Sequence, residues 1–428
     1  MRDATAARRA ALGILAAVRA GATFQTARDR AITALAERDR RLAYELAAGV
    51  LRHQSRLDRT IALATADPRL HDILRLGTYQ LRALTRVPAY AAVSTSVELA
   101  RELAGEKAAR YVNQALRQLA RDARCGMRGA EATHPPWLVE RWRARFGADE
   151  TAHLIAWNDA RPGLTLQTAR WDLDTLCTRL QEAGFGVAQA PFGAGIRVLA
   201  GAHASRIPHP AQLPGFADGG FVVQDPAHAL VCRYAALPPG TLVYDACGAP
   251  GGKAVVLERL GARVVAGDAR RDRIGRLAET GRRAGVAIRV VLADLLSAPF
   301  GPGTVDAALV DAPCSATGTM ARHPDARWRV TARMITRAAE RQRALIAAAA
   351  PLVKRGGVLV YATCSLEPEE NTDVVNEFLA RHPEFSREPP SPQDAVPTKL
   401  LTADGDFQAL PQRHRMDGAY AARLVRAR

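Results

Sequence analysis

Three short stretches carry groups able to do chemistry. "VDAPCSATG" (310–318) sets Cys314 behind an apolar run, with Asp311 three residues before it. "YATCS" (361–365) ends a second apolar run on Cys364. "DACGAPGGK" (245–253) follows a third, with Cys247, a glycine cluster and Lys253. A cysteine so placed can be a nucleophile, a metal ligand or a small buried hydrophobe, and the last is the commonest. The six cysteines (Cys125, Cys177, Cys232, Cys247, Cys314, Cys364) include no Cys-x-x-Cys and no Cys/His spacing suited to zinc, so no metal is expected.

The elements around these residues say where they sit. From 241 onward, short and mostly apolar runs (241–248, 262–269, 288–296, 305–313 and 357–365) alternate with helical segments. Apolar strands separated by helices imply a parallel sheet covered on both faces, and ligands gather at the carboxyl ends of such strands. Cys247, Cys314 and Cys364 would then share one rim. Residues 1–124 read as helices throughout and hold 22 Lys/Arg against 12 Asp/Glu. Between these parts, "CGMRGAEATHPPW" (125–137) reads as a linker. "WLVERWRARFGADETAHLIAW" reads as helical, and "LTLQTAR", "DTLCTRLQEAG" and "GIRVLA" as a strand, a helix and a strand. The expected organisation is an all-α domain over 1–125, a small α+β module over 134–221 and an α/β Rossmann-like domain over 222–428.

The net charge of +16 suits a polyanion, nucleic acid first. Only four basic residues are lysines (Lys107, Lys253, Lys354, Lys399). That skew fits a GC-rich genome and makes a lysine at a special position informative. The start of the chain lacks the uncharged apolar core of about 7–15 residues that marks a signal peptide. No apolar run reaches the roughly 18 residues needed to span a bilayer. A cytoplasmic location without membrane contact is expected, and disulfides are not.

The glycine loop narrows the cofactor. A Walker A loop would need glycine at Cys247 and Ser/Thr at Ala254; G-x-G-x-x-G would need glycine at Pro250. Nucleotide hydrolysis and hydride transfer are therefore disfavoured. What survives is a loop that brings backbone N–H groups to a carboxylate at a helix N-terminus. Asp268, 20 residues beyond Gly248, ends the second strand where an acid can bind ribose hydroxyls, and Asp294 ends the third, placed to meet an adenine. A nucleoside with an amino-acid tail fits this set, and S-adenosyl-L-methionine is such a molecule.

"DACGAPGGK", "DAPCSATG…RHPDARW" and "YATCSLEPEEN" resemble the motifs of RNA cytosine-5 methyltransferases of the Sun family. "ELAAGVLR", "ILRLGTYQLRALTRVPAYAAVSTSVELAR" and "YVNQALRQL" resemble the NusB-like domain of its bacterial RsmB/Sun subgroup, whose substrate is 16S ribosomal RNA; "HPPWLVERWRARFG" is similar to that subgroup too. Three positions depart from the pattern: Gly248 for the usual alanine, Ala321–Arg322 for a basic pair, and "MDGAYAARLVR" for the usual terminal strand. The resemblance implies that Cys364 is the nucleophile, adding to carbon 6 of cytosine so that carbon 5 can attack a methyl group. It implies that Cys314 assists product release, that Asp311 accepts from the exocyclic amine of the base, and that Lys253 points into the site. The implied cofactor set is Cys247, Gly248, Ala249, Pro250, Gly251, Gly252, Lys253, Asp268, Arg273, Asp294 and Asp311. Cys125, Cys177 and Cys232 are expected to be structural. A monomer acting on an exposed cytosine is expected, its helical domain and middle module gripping flanking phosphates. The competing readings are a NusB-like RNA-binding, antitermination or assembly factor with an inactive transferase half, and methylation of 23S ribosomal RNA or tRNA.

Overall fold

In the computed structural model, residues 5–61, 67–121, 133–200, 209–297, 300–391 and 396–428 are described. Cys125 and most of the linker segment lie outside them. The chain divides into two compact units, one of Met1–Arg161 with Met320–Arg329 and one of Pro162–Thr319 with Val330–Arg428.

The first unit is helical: Ala6–Arg19, Phe24–Ile32, Glu37–Ile61, Pro68–Ala83 and Ala89–Arg121 bury apolar stripes that include Ile14, Leu46, Val50, Ile73, Leu74 and Val112. The last of these helices is interrupted at Gly105, whose φ of 80° is open to glycine but costly for other residues, so the segment is two helices end to end. Gly147, at φ 82°, likewise splits the single helix expected at 137–157 into Pro136–Phe146 and Ala148–Asp159. Both of these helices pack within the first unit. Trp142 and Leu154 are buried there, and Arg56 holds Asp159 at 2.9 Å.

A stretch from far along the chain completes this unit. Arg327 is fully buried and donates to the carbonyls of Arg52 (3.1 Å) and Asn158 (2.8 Å) and to the Asp159 carboxylate (2.9 Å). Next to it, Trp328 donates its indole N–H to the Leu51 carbonyl at 2.6 Å.

The second unit opens with a four-stranded antiparallel sheet of β1 (Leu164–Thr168), β2 (Gly186–Gln189), β3 (Ile196–Leu199) and β4 (Phe221–Val223) in the order β2-β3-β1-β4. The helix Leu173–Glu182, capped by Asp172, covers it with Leu176 and Leu180. The sequence reading anticipates β1, β3 and the helix. It passes over β2 and β4.

The larger sheet is built on β5 (Leu242–Asp245), β6 (Arg263–Asp268), β7 (Arg289–Leu292), β8 (Val305–Asp311) and β9 (Val353–Thr363), parallel in the order β7-β6-β5-β8-β9. Its centre is covered on both faces: Ala307 and Leu309 join one core cluster while Ala308 and Val310 join the other. The sheet is mixed rather than wholly parallel. β10 (Phe385–Arg387), β11 (Phe407–Ala409) and β12 (Ala419–Arg426) are added antiparallel, β12 pairing directly with β9. Between β9 and β12 the chain runs through the helix Thr372–Arg381, β10 and β11, and β12 then joins the edge beside β9 in the antiparallel sense.

Candidate active site

β8 and β9 are neighbours, with Asp311 opposite Ala362, so their carboxyl-terminal loops emerge side by side. Cys314 lies three residues past β8 and Cys364 one past β9, and their Sγ atoms are 3.0 Å apart. Tight backbone contacts hold the loops together. The Gly318 amide donates to the Cys364 carbonyl (3.0 Å), and the Gly418 amide donates to the Gly318 carbonyl (2.8 Å). A Cβ at Gly318 would lie 2.7 Å from both the Cys364 carbonyl oxygen and Gly418, which explains glycine there. The hydrogen bond to Cys364, then burial, then the charges of Cys364 and Glu370 raise the Cys314 thiol well above the ordinary cysteine value. Cys314 therefore keeps its proton at neutral pH.

Glu370, fully buried, bonds to the serines that follow the two cysteines. Its carboxylate accepts from the Ser315 amide (2.8 Å) and from Gln342 Nε2 (3.1 Å), and both the Ser315 and the Ser365 hydroxyls bond to it. Burial raises this carboxyl above the usual range against the pull of those donors.

The glycine loop adjoins this pair. Lys253 is buried at the start of the helix Gly252–Arg259, and its ammonium bonds to Asp311 Oδ2 at 2.6 Å and lies 3.4 Å from His228 Nδ1. Burial alone would lower the Lys253 pKa; the Asp311 charge and hydrogen bond reverse this and hold it above the ordinary lysine value. Gly251, at φ 106°, starts that helix from a left-handed conformation, and its neighbour Gly248 bonds to the Gly267 carbonyl at 2.8 Å.

Asp245 closes β5. Its carboxylate is buried and neither oxygen has a well-formed hydrogen bond, the Cys247 amide approaching it only loosely. Burial, then the neighbouring Asp311 charge, push its pKa up to about 7. A Cβ on Gly248 would come within 3.1 Å of this carboxyl, so the glycine leaves the approach open. An orphaned buried acid beside a glycine loop fits a ligand carrying a cationic amine.

The other expected residues fall as follows. Asp268 closes β6, is buried, accepts from the Arg270 amide (2.9 Å) and has Arg273 at 4.0 Å. Asp294 stands two residues beyond β7, exposed, its carboxylate accepting from the Leu296 amide (3.1 Å). Exposed apolar side chains flank it at Leu292 and Leu296. Ala249 and Pro250 continue the loop between β5 and the helix. Burial, then Asp245, pushes the Cys247 thiol up to about 12, which leaves it unreactive. Burial likewise drives Cys232 to about 12 and raises Cys177. Among the described residues no group of acids, histidines and cysteines is arranged to hold a metal, and no helix is long and apolar enough to cross a membrane. Glu370, Asp245 and His228 are the neighbours of the site that the sequence reading missed.

A nucleoside-type rim on a Rossmann-like sheet, beside a pair of thiols, defines a methyltransferase fold. Residues 235–425 match the family described as 16S rRNA methyltransferase RsmB/F, residues 5–121 the NusB family, and residues 134–203 the ferredoxin-like domain of RsmF/B-like methyltransferases. The chain is 36% identical over 418 residues to the "Probable ribosomal RNA small subunit methyltransferase B" of Synechocystis, covering 91% of this chain and 92% of that one. It is 35% identical to the ribosomal RNA small subunit methyltransferase B of Pseudomonas putida over 98% of both chains. The chain belongs to the RsmB/F methyltransferase family. Its fold is shared with the crystal structure of PH0851 (TM-score 0.81, 24% identity, 99% of both chains). NSun6 from Pyrococcus horikoshii, solved with SFG, also shares it (TM-score 0.58, 20% identity, 69% of this chain and 98% of that one).

Proposed function

We propose that this protein methylates carbon 5 of a cytosine in 16S ribosomal RNA through a covalent adduct on Cys364, with S-adenosyl-L-methionine as cofactor. The observation that carries this reading is the 3.0 Å pair of thiols at the ends of β8 and β9. Methylation of an amine or a ribose hydroxyl has no use for two cysteines in contact. Family membership and the names of the relatives support the RNA substrate, and the +16 charge suits it.

Cys364 adds as thiolate to carbon 6 of the cytosine, and the electron pair displaced makes carbon 5 nucleophilic. The cofactor, when bound, supplies the methyl group. Asp245 beneath the open face of Gly248 would take its cationic amine, and Asp268 its ribose hydroxyls, with Arg273 and Asp294 nearby. Asp311, held by the Lys253 ammonium, accepts from the exocyclic amine and fixes the ring over Cys364. At release, Cys314 passes its proton to the Cys364 sulfur as the carbon–sulfur bond breaks and takes up the carbon 5 proton in its place, so that 5-methylcytosine leaves and both thiols are restored.

Incubation with methyl-labelled S-adenosyl-L-methionine and 16S ribosomal RNA, followed by nucleoside analysis, tests the reading. Label in 5-methylcytosine is expected. Cys364→Ala should lose both transfer and RNA capture, and Cys314→Ala should accumulate a protein–RNA adduct stable on denaturing gels. Absence of label, or label only in other nucleosides, overturns the proposal; exchanged phenotypes overturn the thiol roles.

A further inference from the structure

Cys314 and Cys364 each precede a serine, and one buried carboxylate holds both serines. Ser315 gives Glu370 its amide and its hydroxyl; Ser365 gives its hydroxyl. Gln342 donates to Glu370 (3.1 Å) and also to the carbonyl of Pro313 (2.9 Å), so the Pro-Cys loop is pinned on both sides of its thiol. On the other loop, Asn371 donates to the Ser365 carbonyl (2.9 Å) and Tyr361 to the carbonyl of Glu370 (2.6 Å). The serines lie 50 residues apart in sequence; their hydroxyls are 3.2 Å from each other, and Glu370 bonds to both.

We propose that Glu370 is the positioning residue of this active site: it fixes the two cysteine loops in a common register and, by its charge, assigns the thiols their different tasks. The inference rests on the roles proposed above for Cys364 and Cys314. Two features set Glu370 apart from an ordinary buried brace. None of its hydrogen bonds is to a cation, although burying a carboxylate without one is costly. A neutral glutamine could accept from the Ser315 and Gln342 amides while the two hydroxyls turned to accept from its NH₂, so the clamp alone does not require charge. What the charge adds is repulsion of a second anion. With Glu370 ionised, a thiolate at Cys314 is disfavoured, and the pair settles with Cys314 as the proton carrier. The titratable groups acting on Cys314 are Tyr361 of β9, Cys364 just past its end and Glu370 from the turn that follows; Asp311 of β8 and Arg343 of the helix Ala332–Ala349 bear on the same cluster.

The test compares Glu370→Gln with Glu370→Ala in the full-length protein. Peptide-resolved iodoacetamide labelling across pH reads each thiol separately, and methyl transfer to 16S ribosomal RNA is measured in parallel. Glu370→Gln should keep the loops together yet lower the pH of half-reaction of Cys314 by about half a unit or more. Glu370→Ala should lose the register, with kcat falling by about 10²-fold and KM for RNA little changed, and glutamine should recover about tenfold of that loss. An unaltered Cys314 labelling profile in Glu370→Gln overturns the assignment of tasks. Losses in both variants that merely follow the folded fraction overturn the positioning role. Cys364→Ala and Cys314→Ala run in the same assay isolate the underlying reading. If they fail to show loss of capture and adduct accumulation, the thiol roles fall; if they succeed, a negative Glu370 result counts against Glu370 alone.

Discussion

Replacing Arg327 by alanine should destabilise the first unit severely. The guanidinium is fully buried, and its partner Asp159 is only 11% exposed, so solvent does little to screen the pair. The substitution takes the short donors from the carbonyls of Arg52 and Asn158 and one of two arginines from Asp159, which keeps Arg56 at 2.9 Å. Each buried acceptor left without a partner costs about 1–3 kcal/mol, and the cavity left by the side chain adds a few more. A total near 4–6 kcal/mol follows, a large share of the ~5–15 kcal/mol that holds a domain together. Urea unfolding followed by tryptophan fluorescence suits the question, because Trp137, Trp142, Trp157 and Trp328 all belong to this unit and only Trp171 does not. Arg327→Lys should rescue little, since a single ammonium cannot reach acceptors spread around a planar fork. A loss below about 1 kcal/mol for alanine, or near-complete rescue by lysine, would refute the reasoning.

The glycine loop and its acids supply further tests. Gly251→Ala forces a Cβ into φ 106° and within 3.0 Å of Leu277, so a loss of about 1–2 kcal/mol in stability and weaker cofactor binding are expected from melting and calorimetry. Asp245, with its folded pKa raised to about 7, favours the folded state most below the unfolded carboxyl value and loses that contribution as pH rises through about 7. Asp245→Asn should therefore flatten the fall in melting temperature between about pH 4 and 8, while weakening S-adenosyl-L-methionine binding; parallel pH curves for the two proteins would contradict this. Lys253→Met should leave Asp311 unheld beside Asp245 and cut turnover by about 10²-fold, with a smaller change in RNA affinity, read by single-turnover kinetics.

The strands that carry the site were legible because burial on both faces makes them apolar runs, and their ends name Asp268, Asp311, Cys314 and Cys364 directly. The contact of the two thiols depends on β8 lying next to β9, which strand composition does not encode. Glu370 stood in plain view within "YATCSLEPEEN", but its bonds reach Ser315 and Gln342, far off in sequence, and nothing local separates it from Glu369. Asp245 was hidden differently: its meaning lies in having no partner, a property of the folded site alone. The helices of 136–159 were recognised as helical, yet their packing in the first unit depends on Asp159 meeting Arg56 and Asn158 meeting Arg327, pairs that periodicity cannot supply. The antiparallel pairing of β12 with β9 joins strands separated by the helix Thr372–Arg381, β10 and β11, a long-range choice of partner that local sequence does not encode.

The ten-residue excursion of Met320–Arg329 sets an order of events during synthesis. The helices of the first unit leave the ribosome early, but the side chain that satisfies the carbonyls of Arg52 and Asn158 arrives only after residues 162–319 have followed. Domains that emerge first usually fold first. Here the first unit must wait, incompletely closed, for Arg327 and Trp328. A chain cut anywhere between the two parts of this unit would leave the carbonyls of Arg52 and Asn158 without the donors of Arg327.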